Sequence, residues 1–260
     1  MPRRFLALLA VLGLLLTAVA CQGAPAAPAL TDPKDILARS VLSLKDVKTV
    51  DVKGGLTGSV TVPSSGPFDL KGTTFEVSAD IPNKKIHASG SAPALLGTSG
   101  DLILLDQTLY YKVAGPLAAM AKADPSGKYT KTDLPAASGG AGDLASNPQK
   151  AIDDIKAGLD KLPAPTKAAD EKCGNQDCYH VTMKLTDKDV AALDPSSASS
   201  LGGTPFTLTI DMWSQKNDLR PAKIVFGIDA GTTGTFGLTL TLTYDQSLSI
   251  NAPSADQIAP

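Results

Sequence analysis

Residues 236–244 read "FGLTLTLTY". In an extended chain successive side chains point to opposite faces. Phe236, Leu238, Leu240, Leu242 and Tyr244 therefore share one face, and the threonines take the other. Such alternation belongs to an antiparallel sheet with one apolar and one wet face. Other stretches repeat it. "FTLTIDMW" (206–213) sets Phe206, Leu208, Ile210 and Met212 against Thr207, Thr209 and Asp211. "TFEVSADI" (74–81) puts Phe75, Val77, Ala79 and Ile81 together. "AKIVFGI" (222–228), with Ile224 and Phe226, and "YHVTMKL" (179–185) behave alike. "DLILLDQTLYYKV" (101–113) reads as two strands joined by a tight turn at Asp106-Gln107.

Three segments read as helices. In "TDPKDILARSVLSLKDV" (31–47), Thr31 or Asp32 caps and Pro33 suits the first helical position. Ile36, Leu37, Val41 and Leu44 then fall on one side. In "NPQKAIDDIKAGLDKL" (147–162), Asn147 caps and Ile152, Ile155, Leu159 and Leu162 form a stripe. "TDKDVAAL" (186–193) is short, with Thr186 and Asp189 placed as a capping box. The fold class is therefore α+β: an antiparallel sheet whose apolar face needs a cover, with about three helices to supply it.

The start of the chain reads as a targeting signal. Arg3 and Arg4 precede an apolar run from Phe5 to Val19, and small residues lead to Cys21 in "LLLTAVACQG" (14–23). Basic, apolar and small-residue zones in this order mark an export signal over residues 1–20. The run is short for a membrane span, which needs about 20 apolar residues. A cysteine at the end of such a signal resembles the lipobox of bacterial lipoproteins, in which the thiol is acylated and anchors the mature protein. An ordinary cleaved signal followed by a chance cysteine is the alternative. Residues 21–30, rich in Ala and Pro, read as a tether, and residues 31–260 as one folded domain.

Removing residues 1–20 takes Arg3 and Arg4 from the 24 basic residues, leaving 22 against 26 acidic ones, a net charge of −4. No basic cluster stands out, so nucleic acid is not the expected partner. The chain is read as an extracytoplasmic monomer. Cys173 and Cys178 in "EKCGNQDCYH" (171–180) would oxidise outside the cytoplasm and staple a hairpin tip, with Gly174-Asn175 as turn residues. Two cysteines alone do not complete a closed zinc site.

Catalytic material is sparse. His87 and His180 both fall in alternating strands and read as solvent-facing. No G-x-S-x-G, H-E-x-x-H or phosphate-binding glycine motif occurs, and no cofactor is expected. The apolar face is the better lead. One reading makes it a closed core. The other leaves a cavity between sheet and helices, lined by Ile36, Val41, Leu44, Phe75, Val77, Ile152, Ile155, Leu159, Phe206, Leu208, Ile210, Phe226, Leu238, Leu240 and Leu242.

The order of segments resembles the LppX/LprG family of mycobacterial cell-envelope lipoproteins. The stretches that carry the resemblance are "LARSVLSLKDVKTV" (37–50), "GDLILLDQTLYYKV" (100–113), "KYTKTDL" (128–134) and "NPQKAIDDIKAGL" (147–159). They continue with "CYHVTMKLTDKDVAAL" (178–193), "FTLTIDMWSQKNDLRPAKIVF" (206–226) and "LTLTLTYDQSLSINAPSAD" (238–256). The resemblance implies a half-barrel like that of LolA and LolB, a strongly curved antiparallel sheet with helices on its concave side. It also implies binding of acylated lipids or glycolipids and their movement across the envelope. A sensor or chaperone that binds a protein partner on the same fold, and a structural surface lipoprotein with a closed core, are the competing readings. The Cys173–Cys178 pair and the Gly/Ala-rich loop around Ser138 and Gly142 depart from the family pattern.

Overall fold

The alternating strands assemble into one sheet. The computed structural model describes residues 29–62, 66–94, 96–134, 157–193 and 205–260. The chain divides into two compact units, Met1–Thr31 and Asp32–Pro260. Nearly all of the first, including Cys21, lies outside the described residues, as do Ile152 and Ile155.

Among the described residues thirteen strands form this sheet. They are β1 (Thr49–Val62), β2 (Gly66–Asp69), β3 (Thr74–Asp80), β4 (Lys85–Ala92), β5 (Thr98–Leu105), β6 (Thr108–Ala114) and β7 (Thr130–Asp133). They continue with β8 (Thr166–Lys167), β9 (Glu171–Cys173), β10 (Gln176–Thr186), β11 (Thr207–Gln215), β12 (Pro221–Asp229) and β13 (Gly234–Tyr244). The order across the sheet is β7-β6-β5-β4-β3-β1-β13-β12-β11-β10-β8, with β2 beside β1 and β9 beside β10. Neighbours in this order pair antiparallel. The end strands β7 and β8 do not meet, so the sheet stays open. This is the α+β arrangement expected: a single curved antiparallel sheet with few helices.

Register makes one face continuously apolar, because directly opposed residues point the same way. One row runs Met212, Ile224, Leu240, Gly54, Phe75, Gly90, Gly100, Val113. A neighbouring row runs Leu242, Val52, Val77, Ala88, Leu102, Tyr111. We call this the inner face. Two glycines in β1 are set by close approach. A Cβ on Gly54 would lie 2.1 Å from Phe75 Cζ, so the ring rests on the bare backbone. Gly58, at φ +98, lies where a Cβ would meet the Thr235 carbonyl oxygen at 2.2 Å. Its left-handed φ suits glycine.

Helix α1 (Pro33–Leu42) begins as expected, with Asp32 accepting from the Lys34 amide at 2.8 Å and Pro33 at the first position. Its continuation tightens into a 3-10 turn, Ser43–Asp46. α1 lies against β10. Ile36, Leu37 and Ser40 are its buried residues. Ser40 Oγ lies 2.7 Å from Ser214 Oγ on β11, a buried polar contact that fixes the helix on the sheet. Under this cover Val181, Met183, Leu185 and Met212 are buried. Helix α2 (Asp187–Leu193) has the expected capping box: Thr186 N–H donates to Asp189 Oδ2 at 2.8 Å, and Asp189 N–H reaches Thr186 Oγ1 at 3.4 Å.

The opposite, outer face carries two small cores. Ile103, Tyr110 and Tyr129 cluster with Ile250, and Leu248 and Ile258 pack on them. The C-terminal segment is held there by Tyr129 N–H donating to Gln257 O, and Ala259 N–H to Tyr129 O, both at 2.8 Å. Cys178, Trp213 and Ala222 form the second cluster.

Candidate functional site

Inner-face residues of the central strands stay only half buried. Leu56, Val77, Ile224, Phe226, Leu238, Leu240 and Leu242 are all in this state. A sheet face this apolar normally has a complete cover. Here burial is deep under α1 at the β10–β11 side and shallow over β13, β1, β3 and β4.

Over β3 to β6 the inner face opens into a cavity of ≈ 710 Å³. Phe75, Val77, Ala88, Leu102, Leu109, Tyr111 and Val113 supply its apolar walls. Gly90 and Gly100 form part of its floor, where missing side chains deepen it. Residues 115–123, after β6, form a strap that contributes Leu117 and Ala121. Turn hydrogen bonds shape the strap, including Ala121 N–H to Leu117 O at 3.0 Å. Tyr111 OH donates to the Lys122 carbonyl at 3.4 Å. Asp101 and Lys112 are the charged residues along its edge, and the register turns their side chains to the outer face. Both engage Tyr129: its OH donates to Asp101 Oδ1 at 2.7 Å, and Lys112 Nζ lies 4.4 Å from its ring centroid. Burial, and then the Asp101 carboxylate, push the Tyr129 phenol above its ordinary value. The cavity thus offers dispersion contact and almost no polar recognition.

Of the residues expected from sequence to line a cavity, Phe75 and Val77 lie in this one. Leu208, Ile210, Phe226, Leu238, Leu240 and Leu242 lie further across the same face, half buried, and Phe206 is half buried just before β11. Ile36 is fully buried, on the α1 surface that seals the sheet, while Val41 and Leu44 are half buried. Leu159 lines a separate crevice of ≈ 50 Å³ with Leu37 and Met183. Sequence reasoning did not single out Ala88, Gly90, Gly100, Leu102, Leu109, Tyr111, Val113 or the strap.

The outer face departs from expectation at His180. It lies on that face but is covered: Trp213 stacks on it with ring centroids 4.1 Å apart, and its side chain is 13% exposed. Nε2 lies 3.0 Å from Asp211 Oδ1. Nδ1 is 3.3 Å from Glu171 Oε1, within ion-pair reach but off the hydrogen-bond direction. His87 is solvent-facing as read, with Nε2 3.3 Å from Asp101 Oδ2 and its side chain 41% exposed. Cys173 and Cys178 are disulfide-bonded, closing the β9–β10 hairpin around Gly174-Asn175. Gly174 takes φ +65, as a tight hairpin turn requires. Among the described residues no cluster of three or more His, Cys, Asp or Glu side chains is placed to hold a metal ion. No described helix is long and apolar enough to cross a membrane.

LprF from Mycobacterium bovis matches with a TM-score of 0.50 at 15% identity, over 85% of this chain and 96% of its own. Lipoprotein LppX from Mycobacterium tuberculosis matches with a TM-score of 0.50 at 12% identity, over 84% of this chain and 98% of its own. The chain has the fold of these two proteins. A LolA-superfamily protein from Nitrosomonas europaea aligns over 84% of this chain and 96% of its own at 12% identity, with a TM-score of 0.28. No family model and no curated protein matches the sequence.

Proposed function

We propose that this protein is a lipid-anchored envelope lipoprotein that binds acylated lipids or glycolipids in the inner-face cavity and carries them across the envelope. The observation that carries the reading is the ≈ 710 Å³ cavity with apolar walls on a sheet face whose central residues are only half buried. That volume falls within the roughly 300–1,000 Å³ of small-molecule sites. Exposing an acyl chain to water costs about 0.8 kcal/mol per CH₂. A body that shields several such groups lowers the barrier to leaving a membrane. The signal over residues 1–20 and the cysteine at position 21 support anchoring by acylation, with residues 21–30 as the tether. The shared fold with LprF and LppX is consistent with this reading.

The test is native mass spectrometry with lipid extraction. The folded unit begins at Asp32, so a chain starting at Gly23 keeps it whole. Produced in the envelope of its own host and purified without detergent, it should retain a stoichiometric acylated lipid. A clean apo mass and an empty extract would reject the carrier reading.

A further inference from the structure

The cavity reaches one end of the sheet. In an antiparallel sheet the start of β3, the end of β4, the start of β5 and the end of β6 lie together. The connections there are residues 70–73, 93–97 and the strap, 115–123. Thr73, Ala92, Thr98, Leu117 and Ala121 belong to this end and line the cavity. The strap lies against the start of β5, where a Cβ on Gly115 would lie 3.0 Å from Thr98 Cα, and the first two connections approach each other, where one on Gly72 would lie 3.6 Å from Pro93 Cγ.

Three large apolar side chains stand out as exposed on the described surface, Leu96 at 80%, Met120 at 80% and Leu117 at 37%. All three belong to these connections. Single exposed apolar residues are ordinary, but their confinement to one rim is not. Leu96 is also held at φ +54. A glycine or asparagine would take that conformation at less cost. The same connections carry Lys71 and Lys122 as their charged residues, with Asp69 and Asp124 directly flanking them. Neither lysine is ion-paired among the described residues.

We propose that this rim docks on the surface of an anionic lipid bilayer, with Leu96 and Met120 inserted among the acyl chains and Lys71 and Lys122 against the headgroups. Leu117, on the same strap as Met120, lines the cavity, so the docked rim adjoins its apolar wall. The inference rests on the carrier reading for its purpose, but it is testable without it. Leu96 and Met120 do not line the cavity.

The experiment measures sedimentation of the chain from Gly23 with vesicles of phosphatidylcholine containing phosphatidylglycerol, or of phosphatidylcholine alone. Removing the anionic lipid should weaken binding about fivefold for each lysine. L96N with M120Q should weaken it about tenfold for each side chain. K71E with K122E should abolish the preference for phosphatidylglycerol. A monomeric fluorescent fatty acid, titrated without vesicles, reports the cavity and should bind L96N/M120Q within twofold of the parent. Equal vesicle binding by parent and both variants, or background binding by the parent, as a purely protein-docking rim would give, overturns the proposal. If the parent takes up no fatty acid, the carrier reading fails, and the vesicle comparison still decides the docking surface.

Discussion

Replacing Gly100 by leucine should fill the cavity without disturbing the sheet. Gly100 sits on the inner face opposite Gly90 and Val113. A Cβ built there has the Lys112 carbonyl oxygen as its nearest contact, at 3.9 Å, so the backbone has room. A strand gains from the substitution, since glycine in a strand interior weakens it. The new side chain adds four carbons to the cavity floor. A guest that filled this space must withdraw about four methylenes. At about 0.8 kcal/mol each the loss is about 3 kcal/mol, or roughly 200-fold in affinity. The assay is a fluorescent fatty-acid titration of the chain from Gly23, with melting temperature as the fold control. T239L is the comparison, because exposed Thr239 lies on the outer face of β13 and receives the same leucine side chain away from the cavity. It should bind like the parent. A folded G100L with less than a threefold loss would refute the placement of the guest over β5.

Two further outcomes follow from local chemistry. The Cys173–Cys178 bridge closes a short loop, so C173S should lower stability by about 2 kcal/mol in the chain-entropy account, read as a shift in urea midpoint. The Lys48 backbone N–H, 3.1 Å from Asp245 Oδ1, and the Arg220 guanidinium hold the Asp245 carboxyl below the usual carboxylate range. A carboxyl lowered on folding contributes stability above its unfolded value of about 3.9, and that contribution is lost as pH falls through the folded value. Urea midpoints at pH 6 and pH 3 should therefore differ more for the parent than for D245N.

The strands with one wet face were legible from alternation, and so were the turn at Asp106-Gln107 and the caps at Asp32 and Thr186. β1 was obscured by Gly54, Gly55 and Gly58, which interrupt its alternation although it lies at the middle of the sheet. The cavity walls on β5 were obscured for the opposite reason. Leu102 and Leu104 face inward while Ile103 packs outward with Tyr110, Tyr129 and Ile250, so both faces are apolar and periodicity carries no sign. On β4 the floor is built from Ala88 and Gly90, which signal nothing by themselves. His180 read as solvent-facing because its cover, Trp213, comes from the next strand in space, 33 positions on in the chain. The strap contains no strand or long helix and had no periodic signature.

Photolabelling with a fatty acid that carries a diazirine along its chain tests the central claim most directly, because it reports where the acyl chain lies. The label should be saturable by unlabelled fatty acid. After digestion, adducts should map to the inner face of β3 to β6 and the strap, at residues such as Phe75, Leu102, Tyr111 and Leu117. Adducts confined to the outer face, or labelling that does not saturate, would contradict the account.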